Sequence, residues 1–357
     1  RVVFVRAGTT KGIPRMVRAL REARLSSVVW RRGKKFFREH KFDLIAFYSP
    51  SIFWGGLVAR LKALYRCPSY LIQRDMFPQW ALDLEILREG LVHRFFRRKE
   101  LQQYAAADVI AVQSHANLQY FNRYRSARFP LKVLYNWARP ETIVPQVPGF
   151  RRRFDLDGKL IYVYGGNIGV AQDIPNLLRL AESLSGRPDI FFLLVGEGSE
   201  VEKSQRWIEA RRLTNIRIVP ALGQEQYLAL LAECTVGLIS LDRRLTTHNF
   251  PGKILGYMQA SLPVLCSLNP GNDLAGILHE ANAGFCSVNG DDSLLRKHAL
   301  ALADDQTLRK RMGENARQLL LAKFTAERAG EQLLQHLRLL LDTAGKQEHT
   351  AELRPAA

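Results

Sequence analysis

From Asp43 onward, short uninterrupted apolar runs alternate with longer stretches in which apolar residues recur every three or four positions. An unbroken apolar run, rather than one alternating with polar residues, is what a parallel strand covered on both faces requires. Strands are therefore predicted at Asp43–Phe47, Ser69–Gln73, Asp108–Gln113 and Leu131–Tyr135 in the first half of the chain. In the second half they are predicted at Leu160–Tyr164, Ile190–Val195, Asn215–Val219, Thr235–Ser240, Pro263–Ser267 and Gly284–Val288. Helical periodicity fills the gaps, as in Ile174–Ser185, Gln224–Glu233 and Gly271–Ala281. Repeated strand–helix units predict an α/β protein, and two such series predict two Rossmann-like halves.

The halves meet in a proline-rich seam holding Pro140, Pro145, Pro148 and Gly149, followed by the basic run Arg151-Arg152-Arg153. The expected organisation is a first domain over residues 1–140, a linker over 141–158 and a second domain over 159–324. A leucine-rich helix is expected over 325–342, and a loose polar tail over 343–357. The chain opens on an arginine followed directly by the strand-like Val2-Val3-Phe4-Val5, the pattern expected of a fragment lacking its first strand.

Composition adds one asymmetry. The 357 residues are 47% apolar and 24% charged, ordinary for a globular protein, but carry a net charge of +18. Residues 1–150 hold 27 lysines and arginines against 10 acids; the remainder holds 25 against 24. A basic half points to nucleic acid, anionic lipid or a phosphorylated substrate. Cys67, Cys234, Cys266 and Cys286 lie far apart without metal-ligand spacing, which excludes a zinc module or disulfide framework and fits a reducing cytoplasm. The longest apolar stretch, Leu44–Ala59, is shorter than a membrane span and is broken by Pro50 and Gly55-Gly56.

Candidate chemistry gathers at strand-to-helix junctions of the second half. Gly165-Gly166-Asn167-Ile168-Gly169 follows a strand, and glycines there let backbone N–H groups approach a phosphate; a plain tight turn is the alternative. It is not a dinucleotide fingerprint, because no acid ends the next strand. Val195-Gly196-Glu197-Gly198-Ser199 forms a second junction, in which Ser199 could instead cap a helix. His248-Asn249-Phe250-Pro251-Gly252-Lys253 places a lysine at a helix start against dipole preference, sensible if it neutralises a diphosphate. Asn269-Pro270-Gly271-Asn272-Asp273 is the fourth, with Asn272 or Asp273 as alternative caps. In a parallel sheet these junctions gather along the carboxyl edge, where ligands bind. In the first half, Arg74-Asp75 ends a strand and precedes Phe77-Pro78-Gln79-Trp80, as either an acid/base site or a structural ion pair. No metal site is expected; Asp291-Asp292 and Asp304-Asp305 read as helix caps.

Taken in order, Gly-Gly-Asn-Ile-Gly, Val-Gly-Glu-Gly, Phe-Pro-Gly-Lys-Ile-Leu-Gly-Tyr-Met, Leu-Pro-Val-Leu and Pro-Gly-Asn-Asp resemble the retaining glycosyltransferases of family 4. The resemblance is collinear over nearly the whole chain. It implies a GT-B fold: two Rossmann-like domains with a cleft between them and a C-terminal helix, here Thr325–Leu341, crossing back to the first. It further implies a hexosyltransferase-type, retaining, metal-independent transfer with no cofactor beyond a nucleotide-sugar substrate, UDP-linked. Arg-Asp-x-Phe-Pro-Gln-Trp and His-Asn-Phe-Pro-Gly-Lys resemble a bacterial subgroup that builds O-antigen, lipopolysaccharide and capsule units, including L-fucosamine (N-acetyl-L-fucosamine) transferases.

Carried onto this sequence, the resemblance makes Asp75, Arg74 and His248 the catalytic candidates. It assigns donor binding to Gly166, Asn167, Gly169, Lys253, Gly196, Glu197, Val219, Leu222, Arg243 and Asn272. Departures are specific. Asn167 and Gln172 stand where the family has a basic pair facing the diphosphate, and His248 and Gly256 where it has two glutamates. Lys253 with the N–H groups of Gly166–Gly169 is the expected replacement clamp, helped by Arg243 or Arg244.

The implied partners are a nucleotide sugar, an undecaprenyl-diphosphate-linked glycan acceptor and the anionic inner face of the cytoplasmic membrane, on which a cytoplasmic protein would sit peripherally. Basic residues at Arg15, Arg18, Arg21 and Arg24 and aromatic pairs Phe36-Phe37, Phe53-Trp54 and Phe95-Phe96 suit such an interface. One rival is another GT-B nucleotide-sugar enzyme, such as an epimerase. A remote one is a nucleic-acid-binding protein, against which stands the lack of any RNA- or DNA-binding signature.

Overall fold

The structure, a computed structural model, describes residues 2–8, 15–122, 131–144 and 149–352, with side chains in the last helix only as far as residue 340. The chain divides into two compact units, one comprising Arg1–Leu134 with Glu331–Ala357, the other Tyr135–Gly330.

The first unit runs α1 (Arg15–Ala23), α2 (Leu25–Glu39), β1 (Ile45–Tyr48), α3 (Gly55–Tyr65), β2 (Ser69–Gln73), α4 (Gln79–Asp83), α5 (Leu91–Ala105), β3 (Val109–Val112), α6 (Ala116–Asn122) and β4 (Leu131–Val133). Its strands form a parallel sheet in sequential order, with Ile45 beside Ser69, Tyr70 beside Val109 and Ile110 beside Leu131. Leu71, Ile110 and Val112 are fully enclosed, and Met76, Tyr104 and Phe121 complete their core. The unbroken apolar runs thus serve the purpose inferred for them, since both faces of β2 and β3 are covered.

The second unit contains α7 (Phe150–Arg153), β5 (Leu160–Gly165), a 3₁₀ turn (Val170–Gln172), α8 (Ile174–Ser183), β6 (Ile190–Val195), α9 (Val201–Ala210), β7 (Ile216–Val219), α10 (Gln224–Ala232) and β8 (Val236–Ser240). It continues through α11 (Lys253–Gln259), β9 (Val264–Leu268), α12 (Leu274–Glu280), β10 (Gly284–Val288), α13 (Asp292–Asp304) and α14 (Gln306–Lys323). The last helix, α15 (Ala326–Glu352), begins in this unit, and its residues from Glu331 count with the first. There Tyr70 and His336 share a 2.8 Å hydrogen bond between the hydroxyl and Nδ1.

The six strands are all parallel in the order β10-β9-β8-β5-β6-β7. The first strand of the unit is therefore central, and the order reverses between β5 and β8. In a doubly wound sheet that switch opens a crevice at the carboxyl ends of the two strands, so the fold alone marks the loop after Gly165 as a ligand position.

The ten strands among the described residues all lie within two residues of the predicted runs. Other expectations need correction. Val2–Val5 is not a strand, and Val2 and Phe4 are exposed. The unit boundary falls at Leu134/Tyr135 rather than 140. Tyr135 packs edge-on against Phe324, Asn136 Nδ2 donates to the Phe250 carbonyl, and Ala138 bridges Thr325, all within the second unit. The basic run expected in the linker is helix α7: Phe150 is completely buried and Glu233 accepts the N–H groups of Phe150 and Arg151. Linker residues 145–148 lie outside the described residues. The tail expected to be loose is helical as far as Glu352, and residues 353–357 lie outside the described residues.

Candidate functional site

In the second unit, the loop after β5 and the loop after β6 are zipped together. Gly166 N–H donates to the Val195 carbonyl at 2.9 Å, Ile168 N–H to that of Glu197 at 2.8 Å, and Glu200 N–H to that of Ile168 at 3.0 Å. A Cβ at Gly196 would stand 1.9 Å from the Gly166 oxygen, and one at Gly198 would stand 2.1 Å from the Ile168 oxygen. Gly196 and Gly198 are thus required for close approach of two backbones. Gly166 itself has φ +117°, a region open to glycine.

This zipper corrects the expected clamp. The N–H groups of Gly166 and Ile168 are spent inside the protein, while those of Asn167 and Gly169 make no hydrogen bond among the described residues. Two alternate amides, not four, can face an anion. Asn167 Nδ2 donates to Gln172 Oε1 at 2.9 Å, so the two residues standing in place of the family's basic pair hold each other. Glu197 is exposed, and its backbone carbonyl is the part used.

Beside this loop lies Lys253, first residue of α11. Its ammonium sits 3.4 Å from the centroid of the Tyr164 ring, and a Cβ on Gly166 would be 3.5 Å from Lys253 Cε. Burial pushes the Lys253 pKa well below the ordinary lysine value, with no carboxylate offsetting it among the described residues. A cation held in low dielectric without a counter-charge costs free energy unless an anion joins it. The Tyr164 face supplies part of the compensation, and Tyr164 Oη donates to the Asn167 carbonyl at 2.6 Å, fixing ring and loop together.

Two further tyrosines complete the surroundings; Tyr164 and Tyr257 stand within the motifs of the sequence, but the sequence predicts no role for either or for Tyr227. Tyr257, one turn after Lys253, is fully buried; its hydroxyl accepts the Gly165 N–H at 3.1 Å and donates to the Leu238 carbonyl at 3.1 Å, pinning β5 to β8 at the switch point. The Tyr227 hydroxyl is buried beside that of Tyr257 and lies 1.8 Å from where a Cβ on Gly165 would stand. The i, i+4 spacing of Lys253 and Tyr257 was the available signal for one of them.

Gly256, where the resemblance expects a glutamate, faces Leu231, Leu228 and Tyr227 of α10. With Lys253, Gln224, Tyr227 and Gln259 it lines a cavity of about 470 Å³. A Cβ there would stand 3.1 Å from Leu231 Cδ1, so Leu231 closes in on the position where the resemblance expects a carboxylate.

Other assigned residues are placed differently. Asn272 is consumed structurally: its Nδ2 donates to Asn269 Oδ1 at 3.0 Å and its Oδ1 accepts the Leu274 N–H at 3.1 Å, while Asp273 occupies the N-cap of α12 without a side-chain cap bond. Arg244 is bound by both carboxylate oxygens of Asp242, at 2.6 Å for the closest contact, and does not serve as a free helper. Arg243 is exposed and lies over Gly290, at the end of β10. His248 is half-buried, 3.3 Å from Asn269 Nδ2 through Nδ1, and burial lowers its pKa while the charge of Asp273 opposes that. The Val219 carbonyl accepts the Gly196 N–H, and Leu222 is half-buried in the following turn. Asp291 and Asp305 cap α13 and α14 as expected, whereas Ser199 caps nothing: Glu200 occupies the N-cap of α9.

In the first unit, Arg74 and Asp75 leave the carboxyl end of β2 with their backbone clamped. Both N–H groups donate to Ser49 Oγ at 3.2 Å, Gln73 Nε2 donates to the Asp75 carbonyl at 2.6 Å, and Gln113 donates to the Arg74 carbonyl. The two side chains then separate in role. Arg74 is buried, reaches the Leu134 carbonyl at 3.4 Å and lies 5.8 Å from the Tyr48 ring centroid; burial lowers its pKa. Asp75 lines a cavity of about 340 Å³ walled by Phe53, Phe77, Trp80 and Phe96. Desolvation by burial raises its pKa, the direction in which a carboxylate becomes a better base.

Residues 150–319 match the family model described as Glycosyl transferases group 1, so the match covers most of the second unit. The chain is 25% identical to the probable glycosyltransferase WbjE of Pseudomonas aeruginosa over 232 residues, 63% of this chain and 58% of WbjE. It is 29% identical to the putative colanic acid biosynthesis glycosyl transferase WcaI of Escherichia coli K12 over 109 residues, 30% of this chain and 26% of WcaI. The chain therefore spans less than two thirds of the length of these curated relatives. Among solved structures, HepE of Anabaena in complex with UDP-glucose superposes with a TM-score of 0.69 at 16% identity, covering 89% of this chain and 82% of HepE. Two parallel-sheet Rossmann-like units with such neighbours make the fold GT-B.

Proposed function

We propose that this chain is a glycosyltransferase whose second unit holds the diphosphate of a nucleotide sugar at Lys253 and the Asn167 and Gly169 amides. The observation that carries the reading is the Lys253 ammonium at the β5/β8 switch point, held on the Tyr164 ring at 3.4 Å with no carboxylate offsetting it among the described residues. In the transfer, the bond from the anomeric carbon to the diphosphate oxygen breaks, a bond to an acceptor hydroxyl oxygen forms, and the hydroxyl proton passes to the leaving diphosphate. Negative charge grows on the leaving diphosphate as the sugar becomes oxocarbenium-like. Fixed N–H donors and a cation stabilise that charge without demanding a divalent ion, which is the basis for the metal-independent proposal. Retention of configuration follows from the family resemblance. Asp75 is proposed to orient the acceptor hydroxyl, with the aromatic walls of its cavity receiving the acceptor.

The donor is proposed to be UDP-linked, in keeping with the UDP-glucose held by HepE, and the sugar an N-acetylated 6-deoxyhexose such as N-acetyl-L-fucosamine. A lipid-diphosphate-linked glycan in O-antigen or capsule synthesis is the proposed acceptor, in keeping with the colanic acid function in the name of WcaI. The site of action is proposed to be the anionic inner face of the cytoplasmic membrane, where the basic half would lie; no helix among the described residues is long and apolar enough to cross a membrane.

The test is a panel of nucleotide sugars offered with a lipid-diphosphate-linked acceptor mimic, reading released nucleotide and the anomeric configuration of the product. Transfer from one UDP-sugar with retention is expected. Failure with every nucleotide sugar counts against the glycosyltransferase reading, and an inverted product against the mechanism.

A further inference from the structure

Helix α5 has an unusual solvent face. Leu91, Val92 and Phe95 are 78%, 59% and 42% exposed, and Leu101 two turns on is also exposed. Arg94 and Arg98 are exposed among them, and Lys99 lies beside Phe95 with its ammonium 6.0 Å from the ring centroid. At 100° per residue, Leu91, Arg94, Phe95, Arg98 and Leu101 fall on one side of the helix. The only acid in α5, Glu100, is fully buried on the opposite side, where Tyr104 donates to it at 2.7 Å and Arg97 pairs with it. The helix therefore offers apolar and cationic side chains to solvent and no anionic ones; Glu85 and Glu89 lie in the turn before it. Apolar exposure of this density is unexpected for a surface that meets only water.

We infer that the exposed face of α5 docks onto an anionic lipid bilayer, with Leu91, Val92 and Phe95 entering the headgroup layer and Arg94, Arg98 and Lys99 meeting lipid phosphates. This deepens the membrane placement proposed above and rests on it. Charge complementarity selects this occupant: the face belongs to the part of the chain in which 27 basic residues outnumber 10 acidic ones, and an anionic leaflet attracts such a surface. Rings and aliphatic tips between cations suit the interface, where apolar groups and headgroup charges lie within a few ångströms of each other. The face also adjoins the Asp75 cavity. Phe95 and Phe96 have centroids 5.4 Å apart, and Phe96 is edge-on to Phe77 at 5.0 Å within the cavity wall. A continuous aromatic path thus joins the proposed acceptor cavity to the docking face.

The test is co-sedimentation of the full chain with vesicles of phosphatidylcholine alone or of equal parts phosphatidylcholine and phosphatidylglycerol, at low and high salt. Binding to the anionic vesicles, weakened by salt, is expected. Each cation removed should lower partitioning about fivefold, so Arg94→Gln, Arg98→Gln and Lys99→Gln together should lower it on the order of a hundredfold. Leu91→Gln, Val92→Gln and Phe95→Gln together should abolish retention at high salt. Both triple variants should keep the circular dichroism spectrum and the transfer rate to a water-soluble acceptor. Variants that bind vesicles like the parent overturn the assignment of the face, and equal binding to neutral vesicles overturns the lipid class. Self-association that the apolar triple variant removes, without vesicle binding, shows a second copy as the occupant instead. Because transfer to a soluble acceptor is read separately, loss of vesicle binding leaves the glycosyltransferase reading standing.

Discussion

The ammonium of Lys253 lies 3.4 Å from the centre of the Tyr164 ring, joining the first residue of α11 to the central strand of the second unit. The contact explains how a lysine stays where burial opposes its charge. It also positions the cation beside the loop whose Asn167 and Gly169 amides remain unspent.

A diphosphate needs Lys253 protonated, and burial has lowered its pKa from the ordinary value of about 10.4. Nucleoside diphosphate affinity should therefore fall as pH rises through a range below that of an exposed lysine. The free protein should show the opposite sign in stability: the folded state binds fewer protons, so stability rises with pH between the folded and unfolded pKa values. Dissociation constants and melting temperatures across an alkaline pH series check both trends. Lys253→Met should remove both, and an unchanged series in that variant would sink the assignment.

Gly196→Ala should be destabilising by at least about 1–3 kcal/mol, because its Cβ would meet the Gly166 carbonyl oxygen, a backbone atom held by the loop zipper. Gly186→Ala is the control: nothing lies within 4 Å of its Cβ. Denaturant melts of the two variants should differ by that amount, and equal stability would mean the loops are not in contact.

Asp75→Asn should separate stability from activity. The raised pKa means that ionising Asp75 costs stability as pH rises from the unfolded value, about 3.9, through the folded one. At neutral pH the amide should therefore melt no lower than the parent, and above it if the cavity accepts the amide well. Turnover should fall by about 10²–10⁴ if the carboxylate acts on the acceptor. A variant with parental turnover would remove Asp75 from the reaction.

The strands were legible because burial on both faces writes itself into a run of apolar residues, as in Ile190–Val195. The glycine junctions were legible as special positions because backbones that approach closely, as at Gly196 and Gly198, admit no side chain. What each residue touches was not. Asn272 and Arg244 looked like ligand-binding residues by type, but their functional groups are occupied by Asn269, Leu274 and Asp242. Gly196 looked like a phosphate cradle, but its bareness accommodates another backbone. The role of the tyrosines was not legible, although two of them stand within the motifs: Tyr164, Tyr227 and Tyr257 come together only through tertiary contacts of β5, α10 and α11, and an aromatic beside a strand reads equally well as core.

The most direct test of the diphosphate site is calorimetric titration of the full chain and of Lys253→Ala with UDP, GDP and the corresponding nucleosides. At least one diphosphate should bind the parent protein, and Lys253→Ala should weaken it tenfold or more while leaving nucleoside binding unchanged; a charge-assisted contact is worth about 1.5–3 kcal/mol, and 1.4 kcal/mol is tenfold. Equal diphosphate affinity in parent and variant would contradict the site.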